Sequence, residues 1–212
     1  MQKCCLFVLL SAFLLCSFPA FSQDDALESV PVHKNERSFT FSLATNGLGL
    51  GGSYRFKLPN YYHVGFNLEF FILRDDKEFE IFDPVFGPVK LNNVNRFFMI
   101  PANIEIKKRL FTDDIEDNFR PHLMLQAGAI FGMNFPKERQ VIDGNQSRLI
   151  KPDNEYKFTY NIVFGLGVDV TTRKDFFVTI RPQYRLTFFG DDIAGKKDHS
   201  AFEIKFEIGG QF

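Results

Sequence analysis

Between Ala201 and Phe212 the chain alternates residue by residue. Phe202, Ile204, Phe206, Ile208 and Phe212 form one set, and Glu203, Lys205, Glu207, Gly209 and Gln211 the other. A period of two is the repeat of a β-strand, whose successive side chains point to opposite faces. The preceding segment repeats the pattern, with Phe176, Val178, Ile180, Pro182, Tyr184, Leu186 and Phe188 set against Thr179, Arg181, Gln183, Arg185 and Thr187. The two predict a hairpin. From Lys157 to Thr171, Phe158, Tyr160, Ile162, Phe164, Leu166, Val168 and Val170 share one face. Similar alternation over Ser38 to Ala44, Leu50 to Leu58, Tyr62 to Ile72, Phe98 to Leu110 and Arg120 to Asn134 brings the expected strands to about eight, an even number.

The connections sort into two kinds. Asn46-Gly47 is brief, Pro59-Asn60 is a tight turn, and Arg74 to Asn95 is long; Phe111 to Asn118 is shorter, Lys137 to Glu155 long, Thr172 to Asp175 tight, and Gly190 to His199 intermediate. Taken in order they alternate between an external side with the long loops and an internal side with short turns. Membrane barrels have this asymmetry, with both chain ends on the periplasmic side.

Alternation alone does not say which face meets solvent, because a soluble lipocalin-like barrel has the same period with its apolar face inward. Strand length favours the bilayer: a tilted spanning strand needs about 9–11 residues, against a mean near 5–6 in soluble sheets. Side-chain size agrees, since the apolar face keeps large side chains, about half of the 28 phenylalanines among them, and the polar face is rich in Gly, Ser and Asn, which suit a narrow lumen. The expected fold is therefore all-β, an eight-stranded antiparallel up-and-down transmembrane β-barrel. Within it Arg181 and Arg185 lie beside Glu203 and Glu207, with Lys205 between, as a charge network in the lumen. Slipping the register by one residue would turn both arginines to lipid, at about 2–4 kcal/mol each at mid-bilayer.

The N-terminus adds an address. Lys3, an apolar run from Leu6 to Leu15, and small residues at Ala20 and Ser22 read as a secretory signal cut before Gln23. The expected organisation is a signal peptide over 1–22, a disordered periplasmic lead-in over 23–36, and the barrel over 37–212. Cys4, Cys5 and Cys16 all precede the cut, leaving no disulfide or cysteine metal ligand. Lipid modification of Cys16 is disfavoured by Leu15 before it, where a small residue is wanted. A formal net charge of −1 gives no basic face for nucleic acid.

Few motifs suggest chemistry. Gly47, Gly49 and Gly52 match a dinucleotide-binding spacing, but Ser53 to Lys57 continues as strand where that motif needs a helix. His63 and His122 fall near the periplasmic ends of their strands. His199, flanked by Asp198 and Ser200, is the remaining candidate for hydrolysis at the outer rim. Asp191 and Asp192 make an acidic turn without the spacing of a calcium loop. No catalytic, cofactor-binding or metal residue is assigned, no cofactor is expected, and the expected function is non-enzymatic.

Three segments carry a family resemblance: Phe98-Met-Ile-Pro101-Ala-Asn-Ile-Glu-Ile, Gly165-Leu-Gly167-Val-Asp169 and Phe206-Glu-Ile-Gly-Gly-Gln-Phe212. Over about Arg37 to Phe212 the chain resembles the small outer-membrane barrels typified by OmpA and OmpX, and especially the PorT-like group. Phe206, Ile208 and Phe212 resemble the C-terminal signal read by the outer-membrane assembly machinery. The resemblance implies a monomer without cofactor in the bacterial outer membrane, in contact with its lipids and that machinery. For PorT-like members it also implies a part in secretion. The main reading is a structural or interaction barrel whose long loops meet an extracellular or secretion-system protein. A narrow porin-like channel, a lipid-modifying enzyme at His199 and a soluble lipocalin-like binding barrel are the alternatives.

Overall fold

The computed structural model describes residues 34–74, 79–83, 87–91, 95–112, 118–143, 146–150, 152–173 and 175–212. The expected signal peptide, most of the expected lead-in and Cys16 lie outside them. Thirteen strands follow in order: β1 (Glu36–Ala44), β2 (Gly47–Leu58), β3 (Tyr62–Leu73), β4 (Phe79–Asp83), β5 (Gly87–Leu91), β6 (Phe97–Arg109), β7 (Phe119–Asn134), β8 (Arg139–Asp143), β9 (Gln146–Ile150), β10 (Glu155–Arg173), β11 (Phe176–Ile193), β12 (Lys196–Asp198) and β13 (Ala201–Gln211).

Eight of these strands form the barrel. Its antiparallel order is β10-β7-β6-β3-β2-β1-β13-β11, and pairing of β10 with β11 closes it. Closure matters physically, because an open sheet edge in hydrocarbon would leave a row of unpaired amides and carbonyls. Following the paired register once round from Glu36 through Arg55, Gly65, Glu105, Gln126, Val163, Arg185 and Ala201 returns to the level of Asn46, ten residues up the first strand. Eight strands with that stagger tilt by about 40° and enclose a backbone radius of about 8 Å, room for side chains and little else.

Two of the ladders carry a proline-associated gap. The β10–β11 register passes from Gly165↔Gln183 to Val168↔Ile180 across Pro182, and the β3–β6 register from Leu68↔Ala102 to Phe71↔Met99 across Pro101. A proline has no N–H to give to the ladder.

The alternation read from the sequence holds in every barrel strand. Phe39, Phe66, Leu68, Ile104, Leu125, Phe158, Ile180 and Ile208 face outward and are 50–74% exposed. Asn67, Glu105, Gln126, Asp169, Arg181, Glu203 and Glu207 face inward and are at most 3% exposed. A soluble barrel would have these faces exchanged, so the lipocalin-like alternative is not the arrangement found. The wall is built for lipid.

Four stretches differ from expectation. Glu36, placed in the lead-in, is the first residue of β1 and its side chain enters the lumen, 2% exposed. The long connections Arg74 to Asn95 and Lys137 to Glu155 are not plain loops, since each carries a separate two-stranded hairpin, β4–β5 and β8–β9. Gly190 to His199 is also partly strand: β11 runs on to Ile193 and turns through Ala194-Gly195 into β12. The turn joining β2 to β3 lies at the opposite end. At Pro59-Asn60-Tyr61-Tyr62 both central residues have positive φ, 58° and 59°, and the Tyr62 amide donates to the Pro59 carbonyl at 3.4 Å, as in a type I′ hairpin turn.

Candidate functional site: a filled and capped lumen

Arg181, Arg185, Glu203, Lys205 and Glu207 all point into the barrel and are at most 1% exposed. Arg181 lies opposite Lys205, Gln183 opposite Glu203, and Thr179 opposite Glu207, so each arginine finds its carboxylate on the diagonal. Arg181 Nη2 is 2.5 Å from Glu207, and Arg185 Nε is 2.6 Å from Glu203. Gln183 bridges the two tiers, accepting from Arg181 Nε at 3.1 Å and donating to Glu203 at 2.5 Å.

Sequence reasoning missed the other half of the network. Arg55 on β2 crosses the lumen with Nε 2.6 Å from Glu105, Nη2 2.8 Å from Glu207 and Nη1 3.4 Å from Glu36. Lys107 joins Glu36 at 2.8 Å and Asp169 at 2.5 Å. Glu69 accepts from Arg185 Nη2 at 3.0 Å, lies 2.7 Å from Lys205, and takes hydrogen bonds from Thr40 and Ser42 at 3.3 and 3.2 Å. These contacts join strands that are distant along the chain and often not neighbours in the sheet. The available signal was parity, since every one of these charges falls on the inward set of its strand.

In total Glu36, Glu69, Glu105, Asp169, Glu203 and Glu207 meet Arg55, Lys107, Arg181, Arg185 and Lys205. Opposite charges nearly cancel. All of these ions but Lys205, which meets Glu69 alone, are held by two or more partners, which offsets the cost of taking them from water. His63 and His122, also buried here, lie 3.7 Å from Glu36 and 3.3 Å from Asp169.

Above this network the inward face changes character, against the expectation that it stays small and polar. Phe71, Leu73, Phe97, Met99, Ile130, Phe189 and Ile193 all point inward at the external end and form one apolar cluster, none more than 5% exposed. Inward glycines make room for it: a Cβ on Gly49 would lie 2.6 Å from the Phe71 ring, and one on Gly132 3.0 Å from the Phe189 ring. Arg185 stacks 4.8 Å from the Phe71 ring centroid and so joins the apolar cap to the ionic layer.

His199 belongs to that cap. It is 1% exposed, its ring centroid lies 4.6 Å from that of Phe97 and 5.4 Å from that of Phe189, and Nε2 lies 3.2 and 3.3 Å from the Ile193 and Lys196 carbonyls. Those carbonyls call for the proton on Nε2. Ser200 Oγ is engaged with the Thr187 amide at 3.1 Å, while the Ser200 amide donates to Asp198 at 2.8 Å; the hydroxyl and amide of Ser200 together hold the Asp198 carboxyl below the usual range. The three neighbours form no hydrolytic array. Asp191 is ion-paired with Lys157 at 3.0 Å, and no cluster of metal-ligating side chains occurs among the described residues.

The proposed C-terminal signal faces outward, with Ile208 54% and Phe212 50% exposed. Phe212 exchanges backbone hydrogen bonds with Asn35, at 3.2 and 3.0 Å, and lies under Arg37, 5.4 Å from the ring centroid. On the outside of the external half, rings run in succession: Phe70 to Phe98 at 5.6 Å, Phe98 to Phe135 at 6.0 Å, and Phe135 to Tyr156 at 5.9 Å. An aromatic girdle of this kind marks the level where hydrocarbon meets headgroups.

Solved structures match this architecture over most of its length. Neisserial surface protein A is 9% identical, with a TM-score of 0.50 over 84% of this chain and 95% of that one. OprG from Pseudomonas aeruginosa is 10% identical, with a TM-score of 0.50 over 87% and 99%. A major outer membrane protein from Thermus thermophilus is 7% identical, with a TM-score of 0.51 over 85% and 100%. The fold is that of an outer-membrane β-barrel. It agrees with the OmpA- and OmpX-like resemblance carried by the sequence. No protein-family profile matches the chain, and no curated protein matches it in sequence.

Proposed function

We propose that the chain is a monomeric, non-enzymatic barrel of the bacterial outer membrane, and that its filled lumen makes it a rigid mount for the external hairpins. The observation that carries this reading is the apolar cap lying over a nearly neutral ionic layer. A lumen about 8 Å in backbone radius and packed in two layers has no through-path for solute. Binding is then left to the parts outside the wall, β4–β5 and β8–β9, where loops carried by a rigid scaffold commonly hold specificity. Those hairpins would meet an extracellular or secretion-system protein, and Phe206, Ile208 and Phe212 would serve the assembly machinery.

The test is conductance. Protein purified from an outer-membrane fraction, and migrating differently on a gel before and after boiling, should be silent in a planar bilayer. Stable single-channel steps would overturn the sealed-mount reading and make the narrow channel the better account.

A further inference from the structure

At the external rim of the outer wall, β3 and β6 end on a pair of like charges. Leu73 faces Phe97 in the last paired row, and Arg74 and Arg96 are the next residues of the same register, exposed and on the outward face. Neither guanidinium has a hydrogen-bond or ion-pair partner among the described residues, although the Arg74 amide donates to the Asn46 carbonyl at 2.8 Å and the Arg96 carbonyl accepts from Phe135 at 3.0 Å. The two backbones are pinned, and no anion among the described residues compensates the two charges. Cations at facing positions of adjacent strands repel unless an anion lies between them.

Both arginines border an open cavity of about 720 Å³, with Lys137 on its edge and Leu48, Ile72 and Phe98 along its lower wall. The lower wall is the lipid-facing side. Phe98 is also a member of the aromatic girdle, so the arginines stand just above the hydrocarbon boundary, at headgroup depth.

The geometry points to a lipid site: Arg74 and Arg96, with Lys137 beside them, bind the phosphate of a phosphorylated outer-leaflet glycolipid, whose acyl chains descend along Leu48, Ile72 and Phe98. Paired guanidiniums suit phosphate oxygens because each offers a planar fork of donors. The inference rests on the outer-membrane reading, which fixes the leaflet this rim meets.

Full-length protein in detergent, first checked for the heat-dependent gel shift, is mixed with bisphosphorylated lipid A and its retained lipid counted by native mass spectrometry. Wild type should retain the lipid, and Arg74→Gln with Arg96→Gln should weaken retention about tenfold or more. Lys57→Gln, an exposed cation at the opposite rim, should leave it unchanged. Wild type should retain enzymatically dephosphorylated lipid A about tenfold less than the bisphosphorylated lipid; this arm needs no variant to fold. Equal retention in either comparison overturns the proposal. Displacement of the lipid by inorganic phosphate at equal concentration also overturns it, by making the site one for a free anion. Loss of the gel shift in wild type would instead overturn the outer-membrane reading beneath it.

Discussion

Lys205 and Arg181 face each other across the β11–β13 ladder, and each is drawn to a different carboxylate: Lys205 to Glu69 at 2.7 Å and Arg181 to Glu207 at 2.5 Å. Like charges directly opposite would destabilise a strand pair, so the lumen depends on those carboxylates to keep the ladder in register. Glu207 carries more of this burden, because it also accepts both Arg55 Nη2 contacts, at 2.9 and 2.8 Å. Replacing Glu207 by Gln keeps its shape and removes its charge. The expected loss is about 3–5 kcal/mol, the usual cost of breaking a buried pair from one side. The urea midpoint of the gel-shifted band in detergent measures it. An unchanged midpoint would mean that water in the lumen already supports the two arginines.

The apolar cap predicts a separation between sealing and stability. Phe71→Ala together with Phe97→Ala removes two rings from the cluster and leaves the ion pairs intact. Each truncation should cost about 3–5 kcal/mol, and the double variant should show brief conductance steps in a planar bilayer where wild type shows none. If the double variant is as silent as wild type, the ionic layer is a sufficient seal by itself.

Much of this was legible in the alternating pattern, and the reason is physical. With lipid on one side and a narrow polar lumen on the other, every residue of a spanning strand must declare its face, so strands, register and the inward set including Arg181, Glu203 and Glu207 follow from parity. The cap did not follow. Phe71, Phe97 and Met99 obey the same parity as the charges below them, but an apolar residue on the polar face breaks the alternation and reads as the end of a strand. Glu36 was lost for a related reason, since a single charged residue at a strand start resembles the polar stretch before it. The Arg55–Glu207 and Arg185–Glu69 contacts needed the closed barrel, because they form across a space that no local pattern describes.

Orientation of the wall can be tested on one strand. Leu68 lies midway along β3, 58% exposed, between Gly52 on β2 and Ala102 on β6. Leu68→Arg should lower stability in phospholipid vesicles by about 2–4 kcal/mol, the cost of a cation near the bilayer midplane. The same change at exposed Phe111, beyond the end of β6, should cost little, about 0–1 kcal/mol. Equal effects at both positions would argue that Leu68 does not face hydrocarbon.

His199 gives the clearest contrast between chemistry and architecture. Its ring fills space beside Phe97 and Phe189, and its Nε2 ties together the carbonyls of Ile193 and Lys196 at the outer hairpin. His199→Ala should therefore leave the lipid A mass spectrum of expressing cells unchanged. The same variant should be less stable by about 2–4 kcal/mol, with the β11–β12 hairpin cut faster by added protease. His199→Phe restores packing without the hydrogen bonds and should recover part of the stability while the hairpin stays protease-sensitive. A lipid A species that disappears in His199→Ala and stays absent in His199→Phe, with both barrels still shifting on heating, would return the enzyme reading to first place.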